Sequence, residues 1–401
     1  MTKIFIVGAK RTAIGSFMGS LASVPAPKLG ATAIAAALSQ SNLSADKVDE
    51  VIVGNVLGAD QGMGPGRQAA IYAGIPDHVP AYTVNMICGS GMKTMMDAAA
   101  HIKAGDADVV VAAGMENMSQ APFALPGKSR MGHKMGNQGL SDTMIKDGLT
   151  DVFNNYHMGM TAENLVDKFG LTRDDQDEFA LQSQKRASSA VEAGVFADEI
   201  APIEVKTRKA ISVFDRDEYP RADASMEGLA KLKPAFKKDG SVTAGNASGI
   251  NDGGVALVLA SEAAVEKHGL TPLAELVSYG QGGVDPAIMG YGPVPAIAQA
   301  LQRANMRLAD MERLELNEAF AAQALAVMHG LTQEHDVTLD WFEDKTNVTG
   351  GAIALGHPLG ASGGRIVTTL LYGMMRNQLT YGLASLCIGG GMGTAVVLKK
   401  V

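Results

Sequence analysis

Four short segments carry side chains able to do nucleophilic and proton-transfer chemistry. Cys88 lies in Asn85-Met86-Ile87-Cys88-Gly89-Ser90-Gly91-Met92, where an extended stretch meets a helix-like run with glycines at the junction. A cysteine just ahead of a helix sits at the positive end of its dipole, which favours the thiolate and is expected to lower the thiol pKa. Glycines beside it let a substrate approach the backbone closely, the logic of a nucleophile elbow with sulfur in place of oxygen. The alternative is a buried structural cysteine, the commoner fate of a lone Cys. His357 stands in Leu355-Gly356-His357-Pro358-Leu359-Gly360, ahead of another helix-like run. A neutral imidazole there can take a proton from a thiol, or it can be satisfied by loop carbonyls alone. Cys387 ends an apolar stretch and precedes Ile388-Gly389-Gly390-Gly391. The N–H groups of that glycine run can bind an oxyanion, or the glycines can serve a turn that needs positive φ. Asn317, in Asn317-Glu318-Ala319-Phe320, also ends a strand-like run. Its amide can hold a water or a carbonyl oxygen, or it can simply form a turn.

An internal repeat accounts for how such distant segments are positioned. Ser90-Gly91-Met92-Lys93 opens a helix-like run through Ala100, and the strand Val109–Ala112 follows, ending in Ala113-Gly114-Met115. Ser362-Gly363-Gly364-Arg365 opens a run through Met375, and the strand Leu383–Leu386 follows, ending in Gly389-Gly390-Gly391-Met392. Upstream, Ala33–Leu38 precedes the strand Glu50–Asn55, as Ala296–Leu301 precedes Leu314–Leu316 and Asn317. The series predicts a duplicated α/β domain with apolar strands buried between helices. In it Cys88 and His357 lie near each other across an approximate twofold axis, and Cys387 faces the same end of the sheet. Residues 1–118, completed by about 250–270, form the first half, and 271–401 the second. The more charged stretch 119–249 reads as an insertion and a ligand-binding lid; within it a helix is expected from a Thr172 cap to about Ala193, ended by Gly194. The first residues, Met1 to Gly8, read as a strand running into a turn.

Composition narrows the possible functions. The chain has 401 residues, 46% of them hydrophobic and 19% charged, as expected of a soluble globular protein of two or three domains. A net charge of −8 argues against a broad nucleic-acid footprint, although a local basic pocket for a phosphorylated ligand stays open. No stretch is long and apolar enough to span a bilayer, and the N-terminal segment is unlike an export signal, so a cytoplasmic protein is expected. Two cysteines cannot make a CxxC-type zinc site, the eight histidines have no HExxH-type spacing, and no metal is expected.

The four segments, in this order, resemble the thiolase family over essentially the whole chain. Further matches are Arg11-Thr12-Ala13-Ile14-Gly15, Gly114-Met115-Glu116-Asn117-Met118-Ser119 and Thr243-Ala244-Gly245-Asn246-Ala247-Ser248-Gly249-Ile250-Asn251-Asp252-Gly253. Cys88-Gly89-Ser90-Gly91 and His157-Met158-Gly159-Met160-Thr161-Ala162-Glu163-Asn164 are similar to the biosynthetic branch that makes or cleaves acetoacetyl-CoA. The resemblance implies an α-β-α-β-α layering of the duplicated halves with a loop and helical insertion. It implies reversible Claisen condensation of two acetyl-CoA to acetoacetyl-CoA and CoA, with Cys88 as the acylated nucleophile, His357 as its base and Cys387 as the second acid/base. One oxyanion hole would be the N–H groups of Cys88 and Gly389; the other would be His357 with a water held by Asn317. Ser248, Arg221 and Tyr219 would contact CoA, while His157, Met158, Leu149, Phe236, Ala244, Ala319 and Phe320 would line the tunnel. His157 and Met158 would crowd the acyl end and favour short chains. Coenzyme A thioesters would be substrates, with no separate cofactor. The stretch from Met118 to Thr150 would assemble a homotetramer.

The chain departs from the family pattern in a longer stretch between Asn317 and His357, read as a surface excursion around 329–345, and in Pro220 between Tyr219 and Arg221. A degradative 3-ketoacyl-CoA thiolase with a wider acyl pocket and a non-catalytic thiolase-like carrier of acyl-CoA or lipid are the alternatives. A decarboxylating ketosynthase would need two histidines where Asn317 and Cys387 stand.

Overall fold

The computed structural model describes residues 2–206 and 210–401, so Met1 of the expected first strand lies outside the described residues. Nine strands form one ladder: β1 (Ile4–Thr12), β2 (Glu50–Gly54), β3 (Ala81–Val84), β4 (Val109–Asn117), β5 (Asn251–Ser261), β6 (Ala274–Gly283), β7 (Arg313–Leu316), β8 (Tyr381–Ile388) and β9 (Met392–Lys400). Their spatial order is β7-β8-β9-β6-β1-β5-β4-β2-β3, with the two-residue strands Gly15–Ser16 and Ile200–Ala201 pairing off this path. The halves meet where Phe5 and Ile6 of β1 pair with Glu275 and Ala274 of β6. From that seam one half runs β1-β5-β4-β2-β3 and the other β6-β9-β8-β7. A lone parallel bridge between Leu314 and Thr346 stands where the second half's fifth strand would lie.

Strands this apolar must be covered on both faces. The helices that cover them are α1 (Ala26–Ser41), α2 (Pro65–Tyr72), α3 (Ser90–Ala104), α6 (Pro293–Ala304), α7 (Ala321–Glu334) and α8 (Leu359–Asn377); α4 (Met158–Phe169) and α5 (Arg173–Glu192) belong to the segment between β4 and β5. Helices α3 and α8 form the middle layer. Met92, Met95, Ile366 and Leu370 share one buried cluster with Val110 and Leu257 of the first half and Leu386 and Val396 of the second. Outside, α1 and α2 cover the first half-sheet and α6 and α7 the second. The chain is therefore layered α-β-α-β-α, each half repeating the other. Asn42 and Asn305 even close α1 and α6 in the same left-handed conformation, at φ 52° and 53°.

Helices α3 and α8 cross closely enough that side chains would collide. A Cβ on Gly91 would lie 2.7 Å from the Gly360 carbonyl oxygen and 3.0 Å from the Gly364 nitrogen. Both are backbone atoms of α8 that cannot swing aside. Gly91→Ala is therefore expected to destabilise the protein by about 1–3 kcal/mol, read as a lowered calorimetric Tm.

Several expected boundaries move. Helix α8 begins at Leu359, so Ser362 and Gly363 lie within its first turns rather than at its start. Strand β4 continues through Gly114-Met115 to Asn117, and β1 runs past Gly8 to Thr12 with a register shift between Ile6 and Gly8. At Gly8 the missing side chain admits α1, whose Ala37 carbonyl carbon lies 3.2 Å from the Cβ position, so the residue serves close packing and not a turn. The excursion at 329–345 is only partly a surface feature. Its first residues extend α7, and Phe342, 2% exposed, is sealed in the outer core beside Trp341. An aromatic pair at a 5.1 Å ring separation anchors what charge alone suggested was solvated.

The middle segment is tied down by charge. Arg11, 1% exposed in β1, forms a two-pronged ion pair with Asp217 at 2.8 and 2.9 Å and reaches Glu199 at 2.7 Å. Helix α5 starts as expected, with Thr172 and Asp175 satisfying each other's backbone N–H groups. No helix among the described residues is long and apolar enough to cross a membrane.

Candidate active site

Cys88 is presented by a strained turn. Ile87, a β-branched residue, is held at φ 47°, where such side chains are outliers. Asn85 Oδ1 accepts from the Ile87 N–H at 3.0 Å, and Ser90 Oγ accepts from Met86 N–H at 2.8 Å while donating to the Ile87 carbonyl at 2.6 Å. The strain is thus maintained by hydrogen bonds on both sides of the sulfur. The N–H groups of Gly389 and of Cys88 itself are directed at the thiol. The expected lowering of its pKa does not occur. Burial pushes the thiol up to about 11, and the nearby Glu116 charge adds to this against the two N–H donors. The dipole of α3 loses because desolvation penalises the thiolate more than a helix end rewards it. Cys88 rests as a thiol and needs a base.

His357 is built to be that kind of group. Its backbone N–H donates to Asn251 Oδ1 at 3.0 Å, and its Nδ1 lies 2.6 Å from Ser362 Oγ. The Ser362 hydroxyl donates its only proton to the Pro358 carbonyl at 2.9 Å, so toward the ring it accepts. The hydrogen therefore sits on Nδ1, and Nε2 keeps its lone pair. Burial and then the Arg365 charge hold the ring down to about 4, leaving it neutral at ordinary pH.

Asn317 follows β7, its N–H donating to the Ser385 carbonyl at 3.0 Å. Its Nδ2 faces His357 Nδ1 at 3.5 Å, while its buried Oδ1 has no partner. Exchanging the two amide atoms, which fit the same shape, sets an acceptor against the ring N–H and turns the NH2 toward the open side as a donor. Cys387, 1% exposed at the end of β8, packs with Met158, Ala247, Ala319 and Phe320. Burial and then the charge of Cys88 push its thiol well above the ordinary range, so the two sulfurs act on one another; both are free thiols. At Gly389 a Cβ would lie 3.4 Å from Ile87 Cγ2 and 3.7 Å from Met158 Sδ. Cys88, His357, Cys387, Asn317 and Gly389 thus gather at one end of the ladder, where β3, β7 and β8 end.

The remaining candidates fall into two adjoining groups. His157 caps α4, its Nδ1 accepting from the Gly159 N–H at 3.0 Å. Its ring stacks on Phe236 at 4.6 Å, and Phe236 meets Phe320 edge-on at 6.1 Å. Leu149 accepts from the Met158 N–H at 2.8 Å and packs in the cluster that holds Cys88 and Leu359. Farther out, Tyr219, Arg221 and Ala244 line a cavity of about 220 Å³. Arg221 is exposed, with its guanidinium 5.9 Å from the Tyr219 ring. Ser248 joins the groups, donating its N–H to the Ala319 carbonyl at 2.9 Å.

Sequence reasoning gave no role to the residues that hold these groups in place. Ser362 and Asn251 set the imidazole, and Asn347 pairs with both backbone groups of Leu316, at 2.9 and 2.7 Å, and with Glu318. Ser362 and Asn251 stand in motifs already noted, but a polar residue beside glycines gives no sign of which distant backbone it will meet.

The fold and the gathered thiol, imidazole and amide define a thiol-dependent acyltransferase architecture, and the comparisons make the class specific. Residues 4–263 match the thiolase N-terminal domain and residues 270–400 the thiolase C-terminal domain. The chain is 55% identical to the acetyl-CoA acetyltransferase of Pseudomonas aeruginosa and 52% identical to that of Escherichia coli, each over the full length of both chains. Among solved structures it superposes on acetyl-CoA acetyltransferase from Syntrophomonas wolfei with a TM-score of 0.97 at 40% identity, covering all of both chains. It superposes on human mitochondrial 3-ketoacyl-CoA thiolase in complex with CoA with a TM-score of 0.93 at 45% identity, covering 100% and 98%. The chain belongs to the thiolase family.

Proposed function

We propose that the protein is an acetyl-CoA C-acetyltransferase, interconverting two acetyl-CoA with acetoacetyl-CoA and CoA through an acetyl-Cys88 intermediate. The observation that carries this reading is the pair of mutually interacting thiols, with two backbone N–H groups aimed at one sulfur and a neutral imidazole two residues before Leu359, which packs in the cluster that holds Cys88. Cys88 passes its proton to His357 Nε2 and its sulfur adds to the acetyl-CoA carbonyl. The oxygen that gains charge is met by the Cys88 and Gly389 N–H groups, each such donor typically worth on the order of 2.7–4 kcal/mol. Collapse breaks the C–S bond to CoA, which leaves as a thiolate and takes up the Cys387 proton, while His357 keeps the proton it received on Nε2.

With Cys88 now a neutral thioester, no charge on that sulfur opposes the Cys387 thiolate left when CoA took its proton. Cys387 then takes a proton from the methyl of a second acetyl-CoA, whose enolate oxygen is held by His357 and a water on Asn317. The carbanion attacks acetyl-Cys88, forming the carbon–carbon bond and expelling the Cys88 sulfur, to which His357 returns its Nε2 proton. Thiolysis runs the same steps backwards. Tyr219, Arg221 and Ser248 hold the nucleotide and pantetheine of CoA, while His157, Met158, Leu149, Phe236, Ala244, Ala319 and Phe320 line the passage to the sulfurs. No resident cofactor is needed for this chemistry.

The exposed apolar side chains of the 119–153 stretch, among them Phe123 (66%), Met131 (91%) and Phe153 (71%), support assembly as a homotetramer through this region. The reading also places the protein in the cytoplasm. Thiolysis of 3-ketoacyl-CoA substrates of rising chain length with free CoA tests the substrate. Activity is expected to peak at acetoacetyl-CoA and to fall by about 10-fold or more per two added carbons as Met158 and the Phe236–Phe320 pair crowd the chain. Efficient cleavage of long chains would move the protein to the degradative class, and no turnover of any length would favour a carrier.

A further inference from the structure

Glu116, 0% exposed near the end of β4, is a buried carboxylate that the steps above do not use. Its Oε1 accepts from Asn55 Nδ2 at 2.8 Å and from the Leu57 N–H at 3.1 Å. Its Oε2 accepts from the Val56 N–H at 3.0 Å and from the Gly360 N–H at 2.9 Å. Asn55, Val56 and Leu57 follow β2 in the first half of the molecule, and Gly360 lies in the first turn of α8 in the second. Val56 and Leu57 wall the cluster that contains Cys88 and Leu359, and Gly360 is three residues past His357. One carboxylate therefore spans the two halves at the point where the thiol and the imidazole must meet. Four donors and no acceptor face it, an arrangement that suits the ionised form, while burial pulls the other way and raises the carboxyl to about 7.

We propose that Glu116 is the positioning residue that registers the start of α8, three residues past His357, against the loop after β2 that packs on Cys88. The inference rests on Cys88 and His357 acting as described above. When ionised, the carboxylate also adds to burial in disfavouring the Cys88 thiolate, which gives the variants a titration to read. Other ionisable groups face these residues: Asp252 faces Glu116, Cys387 faces Cys88 and Arg365 faces His357. None of them bonds both the start of α8 and the loop after β2.

Two substitutions separate the two roles. Glu116→Gln removes the charge and sets an NH2 against two N–H donors. Glu116→Asp keeps the charge but is one methylene too short to hold both edges. The first readout is the pH dependence of Cys88 alkylation by iodoacetamide, followed on the Cys88 peptide by mass spectrometry. The second is kcat and KM for thiolysis of acetoacetyl-CoA. Glu116→Gln is expected to lower the alkylation pKa by about one unit and kcat by about 100-fold, with KM within about threefold of wild type. Glu116→Asp is expected to lower kcat comparably while leaving the alkylation pKa in place. An unchanged alkylation pKa in Glu116→Gln, with kcat lost only in proportion to lost folded protein, overturns the proposal. If Glu116→Gln does not fold, Glu116→Asp decides alone: lowered kcat at an unchanged alkylation pKa supports the proposal, and wild-type kcat overturns it. Alkylation needs no turnover, so absence of acetyl-Cys88 in the wild type counts against the proposed function and leaves the Glu116 readout intact.

Discussion

Cys88→Ala is expected to yield no acetyl-enzyme and to lower thiolysis of acetoacetyl-CoA by on the order of 10⁴-fold or more, since the only group able to carry the acyl chain between half-reactions is gone. Intact-mass measurement after brief exposure to acetyl-CoA reads the first effect, and single-turnover kinetics with CoA reads the second. Alanine is small enough for the Ile87 turn, so the fold should survive. The turn's hydrogen bonds run through Asn85 and Ser90 and do not involve the sulfur. A variant that still gained the acetyl mass on another residue would dismiss Cys88 as the nucleophile.

Cys387→Ala should divide the reaction differently. Acylation of Cys88 is expected to proceed within a few-fold of wild type, because its base and its two N–H donors lie elsewhere. Carbon–carbon bond formation and cleavage should fall by about 10²–10⁴-fold, the range typical of a lost general acid or base. The acetyl-enzyme should accumulate, and exchange of label between acetyl-CoA and free CoA should persist while thiolysis stops. Removing the second sulfur also removes one of two coupled titrations, so Cys88 alkylation should follow a single simpler curve in this variant. Equal loss of exchange and thiolysis would refute the division of labour between the two sulfurs.

The duplicated architecture could be read from the chain because the repeat is written in residues that packing needs. The small residues at Ser90-Gly91 and Ser362-Gly363 mark the one place where two helices must touch backbone to backbone. The segments of Cys88, His357 and Cys387 were legible because each joins a reactive side chain to glycines, and that of Asn317 because an amide ends a strand-like run. The resting state of the thiol was not. A helix dipole is visible in sequence, whereas the burial that overrides it depends on Leu359, Val56 and Met144, which arrive from three distant stretches. The tautomer of His357 was equally hidden, since it turns on a hydroxyl one helical turn later whose proton is already committed to Pro358. The excursion after Asn317 misled for a simpler reason. Its charges are conspicuous in sequence, and the Trp341-Phe342 pair that anchors it is two letters set between acidic residues.

The placement of β5 bears on how the chain is made. Residues 251–261 insert between β1 and β4, pairing with Arg11 down to Ile4 on one side and with Asn117 down to Val109 on the other. On the ribosome the first strand emerges long before the segment that must lie beside it, so the β1 edge stays open while more than half the polypeptide is synthesised, and the β4 edge for about a third of it. Nascent chains halted before residue 251 should be chaperone clients and aggregation-prone, and folding should become cooperative only once that strand has cleared the exit tunnel.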